Sequence, residues 1–192
     1  MLSKRQSEII QKSIEIIAQK GIQGLTIKNL SKEIGISEPA IYRHFESKTE
    51  ILLALLQNFE EVLSFMRDTL TNAKESSISK IEFMFSKIIE IFSLEPSLIS
   101  VIFSEEIFKN EKVLKEKIVE IMNSKITTVE NIIKEGQENG EIRTDIDNKT
   151  LALMVVGSLR FMVKKWDIQD KHEDLQPEGR KLIDGLRTIL TK

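Results

Sequence analysis

Between Thr26 and Lys48 the chain reads TIKNLSKEIGISEPAIYRHFESK, and few folds accommodate that order of residues. Ile27, Leu30 and Ile34 recur at helical spacing and predict a short helix over 26–34. Gly35 supplies the left-handed residue that ends many helices. Ser37 is placed to cap the next helix, and Pro39 is tolerated because it falls in that helix's first turn. Ile41 and Phe45 lie four apart and face inward with Ile36 from the turn. Glu38, Pro39, Tyr42, Arg43 and His44 are left on or beside the open face. A helix presenting small, aromatic and cationic side chains outward suits a DNA major groove. The segment therefore predicts a helix-turn-helix.

The flanking sequence is helical throughout. Ser3 and Gln6 can form a capping box for a first helix over 6–20, whose Ile9, Ile10, Ile14, Ile17 and Ala18 would cover the motif. Ser47 and Glu50 predict a second box, opening a helix that runs without Gly or Pro to about Ala73. Along it Leu52, Leu55, Phe59, Val62, Met66 and Leu70 recur at intervals of three and four, and its length suits a rigid lever between two domains. Further helices are predicted over 77–92, from Pro96 to Phe103 and over 111–135, followed by a polar turn over 135–147 with Gly136 and Gly140 as stops. The last two span 148–166 and 177–190. The first of these is apolar almost all round, which calls for packing partners on two sides. Leu151, Val155, Leu159, Met162 and Trp166, with Leu182, Leu186 and Ile189, are therefore assigned to pairing with a second copy of the chain.

With three prolines, eight glycines and no strand-like alternation, the chain is expected to be all-α, with about nine helices. The absence of cysteine removes disulfides, thiolate metal sites and cysteine nucleophiles. With two histidines and no glycine-rich phosphate loop, no catalytic constellation, metal site or cofactor is expected. Asp170, His172, Glu173 and Asp174 are crowded but read as a solvated loop. The N-terminus lacks an apolar signal core and no run approaches the roughly 18 apolar residues of a membrane span, so the expected location is cytoplasmic. The net charge is −2, yet residues 1–50 carry eight Lys/Arg against six acids while the remainder carries 20 against 24. A mildly basic end on an acidic body is compatible with phosphate contact through one surface.

Residues 1 to about 56 resemble the DNA-binding end of the TetR family of transcriptional regulators. The resemblance lies in Ala18-Gln19-Lys20-Gly21 ending the first helix, Thr26 opening the second, and Gly35-Ile36-Ser37 as the turn. It continues through Ala40-Ile41-Tyr42-Arg43-His44-Phe45 and Ser47-Lys48. Ser31 stands where a small alanine is common, and Glu38-Pro39 where glycine or a cation is frequent. The turn over 135–147 extends the likeness weakly into the C-terminal half.

The resemblance implies a three-helix DNA-binding domain over 1–47 and an effector-binding and dimerisation domain over 48–192. By resemblance and position, Thr26, Tyr42, His44 and Lys48 are assigned to phosphates, because helix N-termini favour anions. Ser37, Glu38, Pro39, Ala40 and Arg43 are assigned to base edges. Met66, Phe85, Ile88, Phe92, Phe103, Phe108, Met122, Met154 and Phe161 are candidate lining for a pocket holding a small, mainly apolar effector, with Asn123, Ser158 and Arg160 as possible polar contacts. The expected function is that of a homodimeric repressor on a pseudo-palindromic operator, its partners being duplex DNA, a second copy and the effector, with no membrane. The alternative is a helical protein-interaction adaptor without DNA binding, which would leave Tyr42, Arg43, His44 and Lys48 without a reason.

Overall fold

The computed structural model describes residues 2–71, 74–104, 111–169 and 174–191. Among these residues there are nine helices and no strand, and no helix is long and apolar enough to cross a membrane. The chain packs as two units: Met1–Val62 with Ser97–Val119, and Leu63–Pro96 with Glu120–Lys192. These units cut the chain elsewhere than the sequence boundary at residue 47, because the start of the fourth helix is buried in the first unit.

In the first unit, α1 spans Lys4–Gly24. The Ser3 hydroxyl accepts from the Gln6 amide at 3.2 Å, and the Gln6 side chain accepts from the Ser3 amide at 3.0 Å, so the expected capping box is complete. Gly21, at φ 67° and ψ 178°, breaks the regular helix where the sequence placed its end. The break carries Ile22 and Leu25 into the core. The expected stripe of Ile9, Ile10, Ile14 and Ile17 is buried, and Ile16 and Ser13 join it while Ala18 stays half-buried. The widening has a cause: α1 packs against both α2 (Ile27–Ile34) and α6 (Ser97–Ile102), so more than one face is covered. Ser13 satisfies its hydroxyl by donating to the Ile9 carbonyl at 2.8 Å.

Helix α4 (Lys48–Thr71) contributes Ile51, Leu52, Leu55, Leu56 and Phe59 to the same core. Its start realises half of the expected box. The Ser47 hydroxyl accepts from the Glu50 amide at 3.1 Å, but the Glu50 carboxylate takes the Glu46 amide. Val62 departs from the expected stripe and is exposed. Helix α7 (Lys112–Glu138) begins in this unit with buried Leu114 and Ile118, and Lys117 forms an ion pair with Glu60 of α4.

The second unit is built on α5 (Ser77–Leu94), α8 (Asn148–Ile168) and α9 (Leu175–Thr191), which pack against one another. Lys80, buried on α5, reaches Glu135 of α7 at 2.9 and 3.0 Å. Contrary to expectation, α7 runs through Gly136 to Glu138, and Gly140, at φ 74°, supplies the left-handed stop. Gly136 serves packing instead: a Cβ there would lie 2.7 Å from Ile142 Cδ1 and 2.8 Å from Ser77 Cβ. The turn that follows is closed by Gln137, which donates to the Arg143 and Ile146 carbonyls at 2.7 and 2.9 Å. Arg143 then ties it to the end of α9, its amide donating to the Leu190 carbonyl at 2.8 Å.

The dimer assignment needs correction. Leu151, Val155 and Leu159 of α8 and Leu186 of α9 are buried in the chain's own core. Met162, Trp166 and Leu182 are half-buried at its edge, and Ile189 is exposed. On α8 the side turned away from that core carries Leu153, Met154, Phe161 and Ile168, all more than half exposed. A helix apolar all round has two candidate faces, and its periodicity does not say which one the chain itself covers.

Replacing Gly136 by alanine should lower stability by about 1–3 kcal/mol, the usual cost of overpacking a tight contact. Urea denaturation followed by circular dichroism measures this, and an unchanged midpoint would contradict the close approach of Ile142 and Ser77.

Candidate nucleic-acid interface

The site is built on a backbone turn whose hydrogen bonds are nearly all local. Thr26 caps α2 by accepting from the Asn29 amide at 3.1 Å, and the Asn29 side chain donates to the Gly24 carbonyl at 2.9 Å. At the other end Gly35 takes φ 77° and ψ 32°, and the amides of Gly35 and Ile36 both donate to the Ser31 carbonyl at 2.9 and 3.0 Å. Ser31 itself is buried, its hydroxyl donating to the Lys28 carbonyl at 2.9 Å, so serine is satisfied where alanine is common. The chain then extends through Ser37 into α3 (Glu38–Tyr42). Ser37 caps through backbone geometry alone. Its hydroxyl makes no capping bond, contrary to expectation, and the residue is exposed. Beyond Tyr42 the turn continues, with the Arg43, His44 and Phe45 amides donating to the Pro39 and Ile41 carbonyls.

The two faces of α3 separate as the spacing implies. Ile41 is fully buried and Phe45 nearly so, while Ile36 is half-buried. Glu38, Pro39 and Arg43 are exposed, Tyr42 exposes half its surface, and Ala40 and His44 are half-exposed. The His44 carbonyl accepts from the Gln6 side chain at 3.4 Å, holding the end of the motif against α1. Lys48, the first residue of α4, reaches the Ile22 carbonyl at 3.3 Å, which brings its ammonium beside the segment entering α2. Thr26 is exposed at the start of that helix.

Ion pairing sorts the cations of this unit. Arg5, Lys12 and Lys20 are paired with Glu8, Glu15 and Glu33 at 2.6, 2.5 and 3.1 Å. The hydrogen bond from Lys20 holds the Glu33 carboxyl below its ordinary range, and that to Glu15 raises Lys12. These charges are engaged on α1 and its contact with α2. Lys28, exposed in the first turn of α2 two residues from Thr26, is a further cation at the motif that the sequence analysis did not single out. A lysine in the first turn of a helix whose cap is already assigned to phosphate was the available signal.

The pocket candidates scatter. Phe85, Phe92 and Met66 are buried in the second unit, and Ile88 is half-buried. Met122, Met154 and Phe161 are exposed, Phe161 by 72%, so they line no enclosed chamber within the chain. Phe103 is half-buried in the first unit, and Phe108 lies outside the described residues, as do Asp170, His172 and Glu173. Asn123 is exposed, whereas Ser158 and Arg160 are partly buried, Ser158 donating to the Val155 carbonyl at 2.8 Å. A shallow groove between α5 and α9, with room for little more than a water, is lined by Ile78, Ile81, Phe85, Ile183, Leu186 and Leu190, with Glu82 and Arg187 paired at 2.6 Å on its rim. It shares only Phe85 with the expected set. Among the described residues no three His, Cys, Asp or Glu side chains are grouped to hold a metal.

Residues 9–55 match the family of bacterial regulatory proteins of the TetR type, and residues 56–185 match the C-terminal region of YsiA-like proteins. The chain is 25% identical over 181 residues to the fatty acid metabolism regulator protein of Bacillus subtilis, covering 93% of this chain and 92% of that one. Its fold is that of the transcriptional regulator FadR from Bacillus subtilis in complex with stearoyl-CoA, at a TM-score of 0.82 and 23% identity over 96% of this chain and 98% of the other. The fatty acid degradation regulator FadR from Bacillus halodurans gives 0.85 and 20% over 97% and 96%. With both halves of the chain matched and a buried Ile41 holding an exposed α3, this chain belongs to the TetR family of transcriptional regulators and is a DNA-binding protein of that family.

Proposed function

We propose that α3 enters the major groove of an operator, with Glu38, Pro39, Ala40, Arg43 and Ser37 toward base edges and Thr26, Tyr42, His44 and Lys48 on phosphates. Lys28 joins the phosphate set. The observation that carries this reading is the division of α3 into a buried Ile41–Phe45 side and an exposed Pro39–Tyr42–Arg43 side. A protein-interaction adaptor would have no use for that division beside a capped, cation-bearing α2. Residues 1–47 are the DNA-reading part, and 48–192 serve effector binding and dimerisation.

The dimer forms through the uncovered face of α8 and the adjoining part of α9: Leu153, Met154, Phe161, Ile168 and Ile189, with the half-buried Met162, Trp166 and Leu182 at the margin. Exposed apolar area of this kind on two neighbouring helices supports pairing with a second copy. Two-fold symmetry then sets two recognition helices on a pseudo-palindromic operator. The effector is a small, mainly apolar molecule bound in the second unit near Met66, Phe85, Ile88 and Phe92. The apolar character of these residues supports this, as does the stearoyl-CoA held by the Bacillus subtilis regulator. Its binding releases the repressor from DNA. A hundredfold loss of DNA affinity needs only about 2.7 kcal/mol of coupling.

Operator fragments recovered by unbiased selection with the purified protein provide the test. Tyr42→Ala and Lys48→Ala should each weaken binding about tenfold with unchanged circular dichroism, and Lys48→Ala should reduce the salt slope by about one. Fluorescence anisotropy at several salt concentrations reads both, and wild-type affinity in both variants would defeat the phosphate assignment. For the dimer, sedimentation of Phe161→Glu should show the mass of a single chain, and an unchanged dimer mass would refute this face. Leu159→Glu, in contrast, should unfold the protein, because Leu159 is core.

A further inference from the structure

The side-chain amide of Gln6 is pinned at two points, one on its own helix and one beside the recognition helix. Its oxygen accepts from the Ser3 amide at 3.0 Å, the return half of the capping box on α1. A backbone amide only donates, so the oxygen of the Gln6 group has to face Ser3. The NH2 is thereby turned away from α1's own cap, and it donates to the His44 carbonyl at 3.4 Å, 38 residues away, in a partly buried position. Both partners require the same orientation of the group. Flipped, it would set donor against donor and acceptor against acceptor. The His44 carbonyl lies two residues past α3, and among the described residues no backbone amide of a turn or loop donates to it. Gln6 supplies the donor.

Capping alone does not call for an amide here. Glutamate closes a capping box as well as glutamine does. It has no N–H to offer, however, and would face the His44 carbonyl with a second acceptor. The contact with His44 is therefore what distinguishes glutamine from glutamate at this position. Its place on the chain matters because Arg43 and His44 leave the backbone immediately before that carbonyl, while the buried Phe45 anchors the turn from the other side. Phosphate contacts supply affinity that is indifferent to sequence, whereas base edges are read only by side chains held in one geometry. We propose that Gln6 is a positioning residue for operator discrimination: through the His44 carbonyl it fixes the end of α3, so that Arg43 meets one base edge in a single pose. The inference rests on reading α3 as the segment that enters the groove, and it adds a residue outside the helix-turn-helix to the determinants of specificity.

Fluorescence anisotropy with two duplexes tests this: the fragment recovered by selection on the wild-type protein, and a shuffled duplex of the same length and composition. Gln6→Glu keeps the capping box without the donor, and Gln6→Met removes the donor without adding charge. Each should cut the ratio of operator to shuffled affinity about fivefold, the size of one lost hydrogen bond. The added charge of Gln6→Glu weakens both duplexes alike through their phosphates and so leaves the ratio unmoved. Ser3→Ala is the control for capping. It removes the hydroxyl that accepts from the Gln6 amide, while the Ser3 backbone still holds the Gln6 side chain. It should lower the melting temperature with the ratio unchanged. An unchanged ratio in either Gln6 variant, or a ratio that falls as far in Ser3→Ala, overturns the positioning role and leaves the groove reading intact. A wild-type protein that does not distinguish the two duplexes overturns the groove reading and the positioning role together.

Discussion

The burial of Ile41 is the contact on which the exposed face of α3 depends. A five-residue helix has no independent stability in water, since isolated helices shorter than about 12 residues are marginal. α3 exists because Ile41 and Phe45 are removed from water on one side of it. Each contributes roughly 1.5–3 kcal/mol by burial, which holds the backbone in one place and leaves the other side free. The constraint extends outward from there. The paired amides on the Ser31 carbonyl set the direction in which the chain leaves α2, and the Gln6–His44 bond closes the far end against α1. The outer side of α3 is held in this way with Pro39, Tyr42 and Arg43 left exposed.

Around this anchor, α1 acts as the shared wall of the first unit. It is covered by α2 on one side and α6 on another, which is why Ile16 and Ser13 are buried beyond the stripe its sequence announces. α6 belongs to the stretch 97–119, which lies far from the motif in sequence and yet packs with it in one unit. Helices α4 and α7 each contribute residues to both units as continuous elements, and the third crossing of the chain, between Pro96 and Ser97, lies outside them. Within the proposed function, ligand-dependent changes in the second unit have covalent, helical routes to the first.

The helical domain tells a different story about polarity. Its core is aliphatic and aromatic, and its buried Lys80 is neutralised by Glu135 across α5 and α7. Lys125 of α7 is only partly buried, and desolvation, with Arg160 pushing the same way, lowers its ammonium pKa to about 8.

What the sequence determined by itself is what depends on near neighbours along the chain. Ser3 with Gln6, Gly35 with its positive φ, and the four-residue spacing of Ile41 and Phe45 are local relations, and each was legible before any coordinates. Which residues of α3 are exposed was legible for the same reason, because those facing out of a helix are fixed once those facing in are known. Tertiary structure alone decided which half of α8 is core: Leu151, Val155 and Leu159 are covered, while Leu153, Met154 and Phe161 are not. It also decided that Gly136 marks a close approach instead of a stop. A helix apolar on every side carries no sign of where its neighbours lie, and a glycine or lysine inside it takes its meaning from groups tens of residues away. Those contacts are set by how all the helices pack at once, and no window of sequence contains that information.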